Sequence, residues 1–446
     1  MELAIASDVP GAVSVRSEIV DGRPRVVFRV DPSHHAGALS EAAGRKIADA
    51  AALALRLRVP LVGVVSSSGA DVRDGISALH GWGCAARAMV GCSGIVPVAL
   101  AVTGPAVSGP ALLLGLADIV VMTADAFAYV SGPDAVAGWT GLSLTSRQLG
   151  GAVLHGRVTG VATFVVDDEA AALAAVDQAL AYLPDNNDSA PPVWPTADPI
   201  DRPTPELREL LPAAANGSYD VRRLIGALAD DGELLELRAR WAPNLVTAFV
   251  TVGGSPVGVV ANQPQSVAGT LDIEASQKGA RFVGLCDGFN LPILTLVDTP
   301  GFFPGKDLEW RGMIRHGAQL AFAYAEATVP RVCVITRKSY GGAYIVMDCK
   351  SMGNDLCFAW PSAEVAVMGA KGAIAILHRR EDADTQARLE AEYAADLLTP
   401  YVAAERGFVD AVIDPADSRS RVARALEHLG AKREGLSPRS HANGPL

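Results

Sequence analysis

No apolar run in the sequence reaches the roughly 20 residues that a membrane-spanning helix needs. The opening Met1-Glu2-Leu3-Ala4 has none of the basic-then-apolar character of a signal peptide. Cysteine is sparse: Cys84, Cys92, Cys286, Cys333, Cys349 and Cys357 form no CxxC pair and no zinc-type spacing with histidine. No metal is therefore expected in this chain, and the thiols read as reduced and cytosolic, several of them inside apolar strands. A basic block is missing too. With a net charge of −11 and no interleaving of aromatic and basic residues, no nucleic-acid partner is expected. The chain thus reads as cytoplasmic, without membrane or nucleic acid among its partners. What it has is core: 50% of its 446 residues are apolar and 20% charged, enough for two packed domains of about 200 residues each.

The stretch that organises the chain is Arg337-Lys338-Ser339-Tyr340-Gly341-Gly342-Ala343-Tyr344-Ile345-Val346-Met347. The apolar run Val332-Cys333-Val334-Ile335 arrives at it like a buried parallel strand, and a helix is expected from Ala343 onward. Two glycines at a strand-to-helix turn have two readings. They can serve packing alone, or they can bring main-chain N–H groups, at the positive end of the helix dipole, against an oxyanion.

A second copy of the pattern favours the second reading. Ile95-Val96-Pro97-Val98-Ala99-Leu100-Ala101-Val102 leads into Thr103-Gly104-Pro105-Ala106-Val107-Ser108-Gly109-Pro110. Pro97 to Gly109 is 109 − 97 = 12 positions, and Pro330 to Gly342 is 342 − 330 = 12. An earlier strand repeats as well: Pro60–Ser66 answers Pro292–Asp298, with 97 − 60 = 37 positions to the next proline in one case and 330 − 292 = 38 in the other. The chain therefore reads as two copies of one α/β unit, each ending in a turn able to hold an oxyanion.

On these residues the C-terminal half closely resembles the carboxyltransferase (β) subunit of biotin-dependent acyl-CoA carboxylases, the propionyl-CoA and acetyl-CoA carboxylase group. Matching stretches include Val259–Pro264, Leu271–Ser276, Val297–Phe302, Phe322–Pro330, Ala366–Ala370 and the tail His441-Ala442-Asn443-Gly444-Pro445-Leu446. The likeness is nearly continuous from about residue 220 and more worn over about 20–185. It implies an α/β fold of two tandem crotonase-like (ββα superhelix) domains. The expected boundaries are 1–183 for an N-terminal domain on the acyl-CoA side, 184–215 for a linker rich in Pro, Asn and Asp, and 216–446 for a C-terminal domain on the biotin side. Family members usually carry a longer helical segment before the first domain, and this chain is expected to begin after it.

In chain order, residues 1–20 are weakly patterned. Val26–Val30 is the first expected strand and Leu39–Leu57 a strong helix. His34 and His35 read as a solvated turn rather than a metal pair. After the next strand comes Ser66-Ser67-Ser68-Gly69-Ala70-Asp71-Val72-Arg73. In the family this loop helps hold CoA and carries an arginine where Asp71 stands, so Arg73 is the expected substitute cation. The family's adjacent glycines are Ser108-Gly109 here, followed by Pro110, which suits a helix's first turn. Ser108 brings a Cβ into glycine's place and narrows the hole. Histidine is the residue type most often used as a general base, which makes His155 a candidate, but the implied chemistry needs none and a loop hydrogen bond is the simpler role. A helix is expected over Glu169–Leu183, then Val221–Ile225 as helix and Leu234–Leu237 as strand.

The resemblance implies that a carboxyl group moves from N-carboxybiotin to the α-carbon of an acyl-CoA. Carried over, Gly342 and Ala343 would hold the biotin carbonyl, and Ser108 and Gly109 the acyl-CoA carbonyl. Gly341, Tyr344, Ile345, Gly69, Ala70, Arg73 and Gly301 would line the substrates. Ile345, at a position where the family commonly has Asp or Ile, implies an apolar pocket wall that tolerates acetyl, propionyl and somewhat longer chains. The chain has no Ala-Met-Lys-Met carrier motif and no glycine-rich ATP segment. Biotin would therefore arrive on a separate biotin carboxylase or biotin carrier subunit. A homo-oligomer, expected as a hexamer, and a role in fatty-acid or polyketide precursor metabolism are implied. Two alternatives stand: a related biotin-dependent decarboxylase subunit, and a catalytically impaired structural subunit that pairs with an intact homologue.

Overall fold

The structure, a computed structural model, describes residues 12–212, 214, 217–432, 434–436 and 443–445. Of the tail motif, His441, Ala442 and Leu446 lie outside the described residues, as does Met1–Ala4. Two compact units emerge, one of Met1–Pro192 with Gly288–Asn290, the other of Val193–Asp287 with Leu291–Leu446. They are called unit 1 and unit 2.

Unit 1 holds a seven-stranded sheet: β1 (Val13–Val20), β2 (Arg23–Val30), β3 (Leu61–Ser67), β4 (Val98–Val107), β5 (Ile119–Thr123), β6 (Phe127–Tyr129) and β7 (Phe164–Val166). The order is β1-β2-β3-β4-β5-β7, with β6 pairing the far end of β4. Only β1–β2 is antiparallel, a hairpin closed at Asp21-Gly22, where both residues have positive φ. Strand β1 was not expected. Its Ser14, Arg16 and Glu18 recur at every second position of a sheet-edge strand, opposite Val13, Val15 and Ser17, and the exposed Ser14 and Arg16 leave that face solvated. The interior strands are buried almost end to end, as parallel strands covered on both faces must be. Helix Glu41–Leu57 is capped by Ser40, whose side chain accepts from Ala43 N–H, and packs its Ala and Ile face on the sheet.

Unit 2 repeats the plan with eight strands: β8 (Leu235–Leu237), β9 (Leu245–Val252), β10 (Ser255–Asn262), β11 (Ile293–Thr299), β12 (Arg331–Tyr340), β13 (Leu356–Ala359), β14 (Glu364–Ala366) and β15 (Ala411–Val412). The order is β15-β13-β12-β11-β10-β9-β8, with β14 pairing the far end of β12. The β4–β6 pair over Pro105–Val107 and the β12–β14 pair over Lys338–Tyr340 are the same device. Each carries a long strand past its neighbours and delivers it to a turn.

The expected linker has little regular structure, yet its two parts pack as core and edge of their own units. Asn186 is buried in unit 1 and receives the Arg58 guanidinium. In unit 2, Thr204, Leu207 and Leu210 are buried, and Thr204 N–H donates to Ala416 O. Arg419 is wholly buried there and pairs with Asp230 at 2.6 Å.

Candidate active site

In unit 2, β12 ends at Tyr340 and helix Gly341–Val346 begins at once. Gly341 has φ +60°, and a Cβ there would lie a tight 3.1 Å from Val367 O, so glycine is favoured by both conformation and space. Gly342 is exposed and Ala343 buried. Both N–H groups lie in the helix's first turn, where no carbonyl one turn earlier belongs to the helix. Beside them stands the loop after β11. Leu271 N–H donates to Gly301 O and Phe303 N–H to Leu271 O, a one-residue parallel bridge that leaves the Phe302 amide outside the pair. The Phe302 ring would meet a Cβ on Gly342 at 3.4 Å. Thr299 Oγ1 accepts from Gly301 N–H at 3.4 Å and fixes the bend, at which Gly301 has φ +140°.

The motif residues around this turn hold it in place. Asp298 accepts from Arg337 Nε at 3.0 Å and from Lys338 N–H at 3.2 Å, while its own N–H donates to Asn262 Oδ1. Arg337 also donates to Gly217 O and lies over the Tyr219 ring. Tyr344 is half-buried, and its hydroxyl is pushed up by burial, so it stays neutral. Ile345, 38% exposed, stands on the helix's outer side.

Unit 1 builds the matching loop with the same bonds. Leu39 N–H donates to Gly69 O and Asp71 N–H to Leu39 O, which leaves the Ala70 amide outside the pair. Ser67 Oγ takes the part of Thr299 and accepts from Gly69 N–H at 3.2 Å. Leu39 to Ala70 is 70 − 39 = 31 positions, and Leu271 to Phe302 is 302 − 271 = 31. The loop lies against the second turn, for a Cβ on Gly69 would come 3.2 Å from Ser108 Cβ. Ser108 is the counterpart of Gly341, with φ +63° and ψ −149°, a region that glycine alone populates readily.

Two expectations are corrected here. The Ser108 amide was expected to be a donor to substrate, but it donates to Tyr129 O at 2.8 Å, because β4 is still pairing with β6 at that point. Pro110 has no N–H and Ala111 N–H donates to Ser108 O, so among the described residues Gly109 alone brings an uncommitted amide from this turn, and the Ala70 amide lies in the adjoining loop. Arg73 was expected to replace a missing cation, but it forks onto Asp71, Nε to Oδ1 at 2.8 Å and a terminal nitrogen to Oδ2 at 2.6 Å. Its guanidinium holds the Asp71 carboxyl below its ordinary range, and the pair presents little net charge. His155 is held at both nitrogens, Nε2 on Ala128 O and Nδ1 on Thr159 Oγ1, each at 2.8 Å, a loop-fixing role.

Sequence reasoning named Ala70 as a lining residue but gave its amide no part, and it singled out neither the Phe302 amide nor Trp82. The Trp82 indole lies under Gly109, where a Cβ would meet its ring at 2.9 Å, so glycine at 109 has a packing reason beside any chemical one. Among the described residues the buried Trp82 Nε1–H has no acceptor.

Residues 7–443 match the carboxyl transferase domain family. The propionyl-CoA carboxylase beta chain of Saccharopolyspora erythraea is 45% identical over 96% of this chain and 82% of its own length. A methylmalonyl-CoA decarboxylase subunit alpha from Veillonella parvula is 41% identical over 96% and 84% respectively. A transcarboxylase 12S crystal structure, a hexamer assembly with hydrolysed methylmalonyl-coenzyme A bound, matches with TM-score 0.95 at 40% identity, over 98% of this chain and 85% of that one.

Proposed function

Because this chain belongs to the carboxyl transferase domain family, we propose that it is the carboxyltransferase subunit of a biotin-dependent acyl-CoA carboxylase. The observation that carries the reading is the doubled turn: in each unit a helix-start amide and an amide of the adjoining loop are without an acceptor among the described residues. Acyl-CoA carboxylation develops charge on the thioester oxygen as the α-carbon becomes enolate-like, and a pair of fixed N–H donors stabilises it with no reorganisation. In unit 1, Gly109 and Ala70 supply such a pair. Gly69 has no side chain where a Cβ would come 3.2 Å from Ser108 Cβ, so the loop can lie against the turn.

In unit 2 the bare backbone at Gly342, with the Phe302 ring beside it, fits a flat uncharged ring that presents a carbonyl oxygen. Gly342 and Ala343 would donate to that oxygen, with the Phe302 amide alongside. Biotin, borne by a separate carrier subunit, supplies the carboxyl group when bound there. Gly341 and Gly301 shape this cradle, and Tyr344 and Ile345 continue the helix away from it. The two separate donor pairs suit two developing charges, and neither needs a titrating side chain. The partners are a biotin carboxylase or biotin carrier subunit and further copies of this chain, since the transcarboxylase 12S relative assembles as a hexamer. Among the described residues no helix is long and apolar enough to cross a membrane. The scattered cysteines without CxxC spacing are the feature that suits a reducing, cytoplasmic compartment.

A match over nearly the whole chain, with both turns built, does not favour an inert scaffold. The test is carboxyl transfer between methylmalonyl-CoA and free biotin by the purified oligomer. Biotin-dependent formation of propionyl-CoA is expected. Absence of propionyl-CoA at millimolar biotin, or formation independent of biotin, would overturn the reading.

A further inference from the structure

Ser108 keeps a backbone conformation that costs a residue with a Cβ about 1–3 kcal/mol and costs glycine almost nothing. A single codon change to glycine would remove the strain, and unit 2 uses glycine at the same place. The amide of Ser108 does not account for the residue, since any amino acid but proline could donate to Tyr129 O. The side chain remains. Its Cβ faces the Gly69 loop, 3.2 Å from the position a Cβ would take there. Among the described residues its Oγ has no hydrogen-bond partner, whereas the neighbouring Ser67 hydroxyl is used within the loop. The Ser108 side chain thus projects from the residue next to the Gly109 amide and against the loop that carries the Ala70 amide, the two amides of unit 1 without an acceptor among the described residues.

We propose that Ser108 Oγ–H is a side-chain donor to the thioester oxygen of the acyl-CoA, a third member of the unit 1 donor set. The inference rests on the reading of unit 1 as the acyl-CoA side. A hydroxyl can rotate its proton onto the developing oxyanion, which neither fixed amide can do. Its donation strengthens as charge builds on that oxygen, so it favours the transition state over the bound ground state. The strain is retained because removing it removes the donor.

Two substitutions separate the hydroxyl from the strain. Ser108→Ala keeps the Cβ and the positive φ but loses the hydroxyl, and Ser108→Gly loses both. Binding of propionyl-CoA and of free CoA to the intact oligomer is measured by calorimetry, together with thermal unfolding and biotin-dependent transfer from methylmalonyl-CoA. Both variants are expected to bind propionyl-CoA roughly three- to tenfold more weakly, with free CoA, which lacks the thioester oxygen, unchanged. Transfer kcat should fall by about 10- to 100-fold in both. Tm should rise by about 2–4 °C in S108G alone. Wild-type propionyl-CoA affinity in S108A, or a faster S108G, would overturn the assignment, because the serine would then only obstruct the site. If wild type binds as expected but transfers no carboxyl, the carboxyltransferase reading fails while the binding contrast still decides the Ser108 donor. If wild type binds neither ligand, both fall.

Discussion

The two units fold the same strand-to-helix turn and make it tolerable in different ways. In unit 2 the positive-φ position is Gly341, and the network behind the turn is buried and charged: Arg331 donates to Asp348 at 2.6 Å with both side chains all but inaccessible. Tyr324 and Thr295 share a hydrogen bond of 2.9 Å in the same region, and Thr295 also reaches Asp348 at 3.5 Å. Burial lifts the Asp348 carboxyl to about 6 despite the arginine. In unit 1 the positive-φ position is Ser108; the ion pairs Arg23–Asp185 and Arg29–Glu169 remain roughly a third exposed, and the nearly buried Arg25 pairs with the partly exposed Glu18 and Asp177. Unit 2 is thus relaxed at the turn and committed in the interior. Unit 1 is strained at the turn, with a more adjustable rim. A backbone donor site needs a turn held still, and a rigid interior or a tight loop contact can each supply that.

The sharpest way to break this contrast is at Arg331. Arg331→Met leaves a buried carboxylate without its counter-charge and should destabilise unit 2 by about 3–5 kcal/mol, read by denaturant unfolding. Adding Asp348→Asn should recover part of that loss, and no recovery would show that the pair does not act as a pair. Next in size is Gly342→Val. Gly342 is exposed and its Cβ position open except toward the Phe302 ring, so the fold should survive while transfer falls by about 10²–10³. In unit 1, Gly109→Val should lose stability as well as transfer, since the added side chain meets the Trp82 ring at 2.9 Å. Comparable Tm losses in the two valine variants would erase the distinction.

A smaller effect is expected from Gly341→Ala, which imposes on unit 2 the strain unit 1 carries. A cost of about 1–2 kcal/mol should appear in thermal unfolding, the reverse of the gain in S108G. Smallest is Asp71→Ala. Freeing Arg73 from its fork should tighten CoA binding by roughly two- to fivefold at low salt, and the gain should fade as ionic strength rises. Weaker binding in this variant would mean that Asp71 itself orders the loop for the ligand.

Much of this was legible in the chain because it repeats. The apolar run ending in Gly341-Gly342 announces a turn, and the equal spacing from Pro97 to Gly109 and from Pro330 to Gly342 locates its twin. The helix at Glu41–Leu57 and the strands at β2, β3, β11 and β12 follow from continuous or periodic apolar residues. Strand β1 was hidden by its own polar face. The state of the Ser108 amide was hidden for a different reason: it depends on β6, three residues of strand that only tertiary pairing identifies. Likewise Arg73 cannot be known as neutralised until Asp71 is seen to turn onto it. Ala70 and Phe302 carry no side-chain signal at all, because what they offer is backbone.

The claim at the centre is that two backbone turns, rather than any acid–base side chain, carry out carboxyl transfer. The most direct measurement is the biotin-dependent conversion of methylmalonyl-CoA to propionyl-CoA by the wild-type oligomer and by Gly342→Val, with His155→Ala as the acid–base control. The account predicts turnover by wild type, a loss of about 10²–10³ in G342V at unchanged Tm, and turnover in H155A within a few fold of wild type wherever its fold is intact. Full activity in G342V, or abolished activity in a folded H155A, would contradict it.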